Sequence, residues 1–396
     1  MDDATGVMNG FPPPPEAQVT LANWREPPHN RWAFRHVSQI VPCAMVWRGP
    51  RAGEAWPRDE ADVPGIRFSW QGEDLTVADM LDRTTADGFV VLHRGRLVHE
   101  SYDAGLEPHM PHILFSVTKS VVGLLAGILV GRGQLDPDRP IADYLPEVAG
   151  SGFDGATVRN LLDMTVGLGF QEDYEAVTGD MVRYREATGW SAANAHEAMG
   201  MRKFLVTLPP AGDHGRVFKY CSPNTDLMGW LLERAADRPF AALLSEALWG
   251  PMGAAHDAYV AVDGFGAPRS SGGLCATTRD LARIGQLVLD GGRAGDAQVV
   301  PADWIDDLYT GGDRDAWKGG SFEDGLPDTW YRSYWYKQGA DVRAINASGI
   351  YGQALYVHPE SRTVIAKHGS QPKPLDFALE ALQIAAFDAI AGALSR

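Results

Sequence analysis

The run Val121–Val130 is apolar at nearly every position, and directly before it stands Phe115-Ser116-Val117-Thr118-Lys119-Ser120. A helix that is apolar all round is a buried helix. Gly131, Gly133 and Pro137 end it. The uncharged stretch Ser120–Gly131 is too short to cross a bilayer, so it reads as the core helix of a large folded body. With the helix starting near Ser116, that serine and Lys119 lie one turn apart on the same face. Serine is a poor nucleophile until a neighbouring base takes its proton. A lysine becomes that base when desolvation or nearby positive charge lowers its pKa. The bare Ser-x-x-Lys pattern is weak. Ser370-Gln371-Pro372-Lys373 matches it too, and there Pro372 breaks the alignment. Taken alone, Ser116 serves as well as an N-cap serine followed by a solvated lysine.

The rest of the chain supplies a frame for that helix. Phe89-Val90-Val91-Leu92 and Leu97–Tyr102 flank a turn at Arg94-Gly95, a hairpin signature, with a short helix Thr76–Arg83 before it. The middle reads as helical: a Thr157-capped segment, Asp226–Ala236, Phe240–Leu248 and a Thr277-capped Thr278–Leu289. Phe170–Ala198 carries Tyr174, Tyr184 and Trp190 without clear periodicity, which reads as a functional loop. Strand signals return at Trp330–Tyr336, Gln353–Val357 and Thr363–His368, and Leu375–Leu394 reads as a closing amphipathic helix. The expected class is therefore α+β, an antiparallel sheet built from the two ends of the chain and flanked by helices, with a mainly helical lobe inserted. The expected division is an N-terminal arm at 1–20, an α/β lobe from 21–118 and 265–396, and a helical lobe at 119–264, with the active site between the lobes. The aromatics of Trp24–Trp47 read as anchors onto the body.

Charge and cysteine usage narrow the function. The formal net charge of −16 repels nucleic acid and anionic membrane surfaces at long range. Cys43, Cys221 and Cys275 are odd in number and widely spaced, unlike a disulfide framework or a zinc site. Met1-Asp2-Asp3-Ala4 is acidic and lacks the features of a signal peptide, so a reducing cytoplasm is the simplest expected compartment. No metal and no cofactor are expected: His196-Glu197 lacks the second histidine of a zinc-protease helix, and the glycines near Gly264 and Gly272 form no dinucleotide fingerprint. A Gly-x-Ser-x-Gly elbow is absent as well.

Two further clusters carry chemistry. Lys219-Tyr220-Cys221-Ser222-Pro223-Asn224 sits before a helical segment, and a tyrosine there acts as a general base if a nearby cation lowers its pKa. The alternative is a buried tyrosine with a satisfied hydroxyl. Ala347-Ser348-Gly349-Ile350-Tyr351-Gly352-Gln353 has glycines that permit close backbone approach, suited to lending an N–H to an oxyanion, or simply to a turn.

In that order, Ser116-x-x-Lys119, Tyr220-Cys221-Ser222-Pro223-Asn224 and Ala347-Ser348-Gly349 resemble the three motifs of the serine β-lactamase-like superfamily, nearest its class C β-lactamase and family VIII esterase branch. Trp24–Phe34, Glu172-Asp173-Tyr174, Asn224-Thr225-Asp226 and Gly349-Ile350 with Gly352-Gln353 further resemble the 6-aminohexanoate-dimer hydrolases, from about Leu21 onward. The resemblance implies a β-lactamase/transpeptidase-like fold and a serine hydrolase acting through an acyl-enzyme on small esters or linear amides. It implies Ser116 as nucleophile, Lys119 and Tyr220 as the proton-transfer pair, and the N–H groups of Ser116 and Ile350 as oxyanion donors. It also sets Tyr174, Trp190, Arg185, Ser271 and Tyr351 beside a small-molecule substrate. A homodimer is left open. Ala347 replaces a cation that helps bind a β-lactam carboxylate, which disfavours the alternative of a β-lactamase or D-Ala-D-Ala peptidase. Arg185 stands where an acidic residue pairs with a substrate ammonium, which implies weak activity on such oligomers, with Asp180 and Glu186 nearby as substitutes. A catalytically silent ligand-binding relative is the remaining alternative.

Overall fold

The computed structural model describes residues 6–50, 53–191, 199–338 and 344–396. His196, Glu197 and the first five residues of the N-terminal arm lie outside them. The centre of the molecule is a seven-stranded antiparallel sheet. Its spatial order is Thr329–Arg332, Trp335–Gln338, Ile345–Gly349, Gln353–His358, Thr363–Gly369, Ala86–His93, Arg96–Tyr102. The sheet closes where the early hairpin meets the late one, with Thr363 opposite His93 and Lys367 opposite Phe89. Arg94 and Gly95 both take positive φ, as a tight hairpin turn requires.

These strands are apolar on both faces because both faces are covered. Val90, Leu92, Leu355, Val357, Val364 and Ala366 point to the main core, shared with the helices Val117–Gly131 and Thr278–Leu289. Phe89, Val91, Tyr356 and Ile365 alternate to the other face, under the C-terminal helix Phe377–Leu394. That helix departs from the amphipathic expectation. It is the one helix among the described residues long and apolar enough to cross a membrane by length and composition. Leu382, Ala386, Phe387 and Ile390 bury their side of it against the sheet.

Other differences have local causes. Trp330–Tyr336 is two strands rather than one, because Ser333 and Tyr334 turn in the left-handed region. Neither is glycine, so the turn is held from outside: Asp163 accepts from the Ser333 N–H at 2.9 Å and the Leu162 carbonyl accepts from Tyr334 N–H at 3.1 Å. The stretch read as an irregular loop contains a helix, Asp180–Ala187. A second antiparallel sheet, ordered Cys43–Val46, Ala258–Ala261, Leu274–Ala276, His112–Ile113, escaped notice because its strands are two to four residues long. The three cysteines are free.

The N-terminal aromatics anchor as expected, apart from Trp47, which is exposed. Trp24 and Phe34 are fully buried in a satellite core with Phe115, Trp190 and Tyr351. Helix Thr278–Leu289 lies flat on the sheet because Gly285 has no side chain; a Cβ there would come within 2.9 Å of Leu355 Cδ1. Gly285→Val should therefore overpack this contact and destabilise the fold by about 1–3 kcal/mol, read as a lower urea midpoint. An unchanged midpoint would mean that the helix rides away from the sheet freely.

Candidate active site

Ser116 ends the turn that leads into the long buried helix. It occupies the N-cap position of Val117–Gly131, yet its side chain makes no capping hydrogen bond, so the hydroxyl is free for other work. Lys119, one turn on, is almost completely buried. Its Nζ donates to Ser116 Oγ at 3.0 Å and to the Ser271 carbonyl at 2.7 Å. Burial pulls the Lys119 pKa down to about 8, with Glu172 pulling it back and Arg269 pushing it further down.

Tyr220 closes the third side. It lies just before the helix Ser222–Ala236, which carries Pro223 in its first turn. The phenol hydrogen-bonds with Ser116 and Tyr336, and the Lys119 ammonium sits 5.0 Å from the ring centroid. Burial raises the Tyr220 pKa, Glu172 adds to the rise, and the two hydrogen bonds oppose it. Burial thus works against the charged form of both groups, raising the phenol and lowering the lysine to about 8.

The end of an inner strand of the sheet supplies the fourth side. Gly349 ends the strand Ile345–Gly349, and a Cβ there would come 2.7 Å from the Leu114 carbonyl and 3.1 Å from the Ser116 nitrogen. Only glycine lets this strand run so close to Ser116. Ile350 follows at the same cleft. Tyr351 then takes φ +64°, and Phe115, directly before Ser116, takes φ +42°. The two rings pack 5.2 Å apart in the satellite core.

The cleft has two limbs that share Tyr174, Tyr220, Phe322 and Leu375. One, a narrow limb of about 50 Å³, has Ser116 and Ile350 at one side, aromatic walls from Phe322, Tyr336 and Phe377, and Ser348 and Glu380 among its polar groups. The other, of about 530 Å³, is more polar, with Gln171, Glu172, Asp180, Lys219 and Ser321.

The remaining sequence-predicted residues divide. Tyr174 lines both limbs and donates to Glu172 Oε1 at 2.8 Å. Arg185 lines neither; its guanidinium donates to the carbonyls of Tyr174 and of Ala176, the latter at 3.0 Å, and so ties down the Tyr174 loop. Asp180 is the neighbouring acid that does line the cleft. Ser271 is buried behind Lys119 and acts through its backbone carbonyl, while its hydroxyl accepts from Arg269 at 2.8 Å. Trp190 and Tyr351 are buried in the satellite core, Trp190 edge-on to Trp24 at 5.3 Å. Ala347 points into the main core and Ser348 takes the cleft side. Glu172 went unassigned in the sequence. It accepts from Tyr174 and from Ser222 Oγ at 2.6 Å, and from the Ser222 N–H. Its place in the Glu172-Asp173-Tyr174 motif was the available signal. Among the described residues, no three His, Cys, Asp or Glu side chains gather as a metal-ligand set.

Known proteins resemble this chain in sequence and in fold. Residues 75–389 match the Beta-lactamase family model. The chain is 35% identical over 364 residues to the 6-aminohexanoate-dimer hydrolase of Paenarthrobacter ureafaciens, covering 92% of this chain and 91% of that one. It is 31% identical over 144 residues to esterase EstB of Burkholderia gladioli, covering 35% and 36%. Among solved structures, a protein from Bacillus anthracis provisionally named a 6-aminohexanoate-dimer hydrolase superposes with a TM-score of 0.87 at 25% identity, over 96% of this chain and 98% of that chain.

Gly349→Ala should push the strand off the Ser116 amide. Because Ile350 N–H follows directly, kcat should fall by roughly 100-fold, the scale of one lost oxyanion donor, with a smaller change in KM. An unaltered kcat would mean that this strand does not face the reacting carbonyl.

Proposed function

This chain belongs to the beta-lactamase family and is a serine hydrolase of that fold, and we propose that it cleaves small carboxylic esters and linear amides, 6-aminohexanoate oligomers among them, through an acyl-enzyme on Ser116. The observation that carries this reading is the convergence of Ser116 Oγ, Lys119 Nζ at 3.0 Å and the Tyr220 phenol at one cleft. The oligomer substrate is suggested by the activity named for the Paenarthrobacter ureafaciens relative.

In the proposed reaction Lys119, as the neutral amine, takes the Ser116 proton while Oγ bonds to the scissile carbonyl carbon. The oxyanion is held by the N–H groups of Ser116 and Ile350, each donor contributing about 3–4 kcal/mol in a comparable site. Tyr220 gives its hydroxyl proton to the leaving amine or alkoxide and is reprotonated by the Lys119 ammonium. Water then attacks the ester carbonyl, loses its proton to Lys119, and releases the acid as Ser116 regains its hydrogen. Tyr174 faces the leaving group from the wall between the two limbs. A β-lactam reading has less support, because Ala347 is buried and offers no cation to a substrate carboxylate. A silent binding role has less support still, since the nucleophile and both proton carriers are together.

The first test is hydrolysis of the 6-aminohexanoate dimer and of p-nitrophenyl acetate, with fluorophosphonate labelling mapped by mass spectrometry. Ser116 should carry the adduct and Ser116→Ala should lose both activities; retained turnover in the mutant would overturn the assignment. Tyr220→Phe should cost at least about 100-fold in turnover, and a near-wild-type rate would make Tyr220 structural. The pH dependence follows from Lys119. Its active form is the unprotonated one, so kcat/KM should rise about tenfold per unit below pH 8 and level above it. A flat profile from pH 6 to 8 would exclude Lys119 as the base.

A further inference from the structure

One buried amide side chain beside the oxyanion site has no task in the proposed reaction. Gln353 begins the strand that leaves the turn Ile350–Gly352, pairs across that turn with Gly349, and is fully buried. It lines neither limb of the cleft. An amide NH2 has two hydrogens, and three carbonyls crowd this one: Gly369 at 2.6 Å, and Ile350 and Tyr351 at 3.3 Å each. The Gly369 bond takes one hydrogen, and the two turn carbonyls share the other. On the far side Oε1 accepts from the Gly369 N–H at 3.2 Å. These neighbours fix which end of the amide is which, because a reversed amide would set its oxygen against three carbonyl oxygens. The anchor is held in turn. Asn30 Nδ2 donates to the carbonyls of Ser370 at 3.2 Å and Gln371 at 3.1 Å, and the Gln371 N–H donates to the Tyr351 carbonyl at 3.2 Å. Lys367 Nζ takes the last carbonyl of the turn, that of Gly352, at 2.9 Å.

The turn needs this hold. Tyr351 stands at φ +64° and ψ +20°, a left-handed conformation that costs a residue with a side chain. Turning over the peptide between Ile350 and Tyr351 would return Tyr351 to negative φ. The same turnover converts a type II β-turn, which needs φ > 0, into a type I turn, which does not. The Ile350 carbonyl would then swing off Gln353, and the Ile350 N–H, on the same residue, would lose its aim at the cleft. We propose that Gln353 is a positioning residue of the oxyanion site: by holding the Ile350 and Tyr351 carbonyls it locks the strained peptide and keeps the Ile350 N–H directed at the reacting carbonyl. The inference rests on Ser116 as the nucleophile and on Ile350 as an oxyanion donor. Its effect falls on the stage at which negative charge develops, since a ground-state carbonyl oxygen gains less from the donor.

The test starts from Gln353→Met, which keeps the length of the side chain and removes its donors. On p-nitrophenyl acetate kcat should fall by roughly 100-fold, the scale of one lost oxyanion donor, with KM changed by less than about threefold. Phenylboronic acid bonds to a serine Oγ and sets a boronate oxygen where the oxyanion forms, so its affinity should fall in step with kcat/KM. A side chain that only stabilised the fold would lower the unfolding temperature and the amount of active protein. It would leave kcat per fluorophosphonate-labelled serine and boronate affinity unchanged, and that result overturns the proposal. If Gln353→Met does not fold, Gln353→Leu takes its place with the same two readouts. Ser116→Ala keeps the two readings apart. If it abolishes turnover while the Gln353 variant keeps kcat and boronate affinity, only this inference falls; if Ser116→Ala retains turnover, the nucleophile assignment falls and this inference with it.

Discussion

A lysine side chain has to be kept dry and still beside a serine, and much of the structure serves that need. Taking an ammonium out of water costs several kcal/mol unless acceptors replace the water. Here the replacements are Ser116 Oγ and one backbone carbonyl, that of Ser271. The carbonyl is aimed by a buried frame: Asp226 accepts from the Ser271 N–H at 2.7 Å and pairs with Arg269, and Tyr184 donates to the same carboxylate. A second brace runs through Glu172, which ties the Tyr174 loop to the start of the helix behind Tyr220. The Asp226–Arg269 brace is buried, whereas Glu172 lines the larger limb of the cleft; each fixes the position of a side chain beside Ser116.

The backbone on either side of the site is held against its own preference. Phe115 and Tyr351 both take left-handed conformations without being glycine, at a cost on the order of 1–3 kcal/mol each. One turn presents Ser116; the other follows Ile350. Phe34 touches both rings, at 4.9 Å and 5.0 Å, and Trp24 stacks on Phe115. The N-terminal segment thus secures, through aromatic packing, two turns that lie far apart in the chain and next to each other at the cleft.

The features legible in the sequence were those with strong local signals. The buried helix announced itself by apolarity on every side, the hairpin by Arg94-Gly95, and Ser116, Lys119 and Tyr220 by ordered motifs. What stayed hidden depended on distant partners. Ser271 works through a carbonyl, which no side-chain pattern encodes. Arg185 gave no sign in the sequence of its bonds to the carbonyls of Tyr174 and Ala176. Ser348 and Glu380 come from a strand and a helix 32 positions apart, and nothing local joins them. The short second sheet has strands too brief for alternation to register. Ser333 and Tyr334 make a turn that neither residue type advertises.

The closure of the central sheet has a consequence for how the chain is made. The hairpin Ala86–Tyr102 leaves the strand Ala86–His93 one edge short of a partner until Thr363–Gly369 arrives, roughly 270 residues later. At synthesis rates of about 5–20 residues per second that interval is on the order of 15–50 s. Through that time the strand carries an unpaired, apolar edge in the nascent chain, the kind of edge that recruits other strands. Its partner is the last strand of the sheet to be made, so that edge is covered only when nearly the whole chain has emerged.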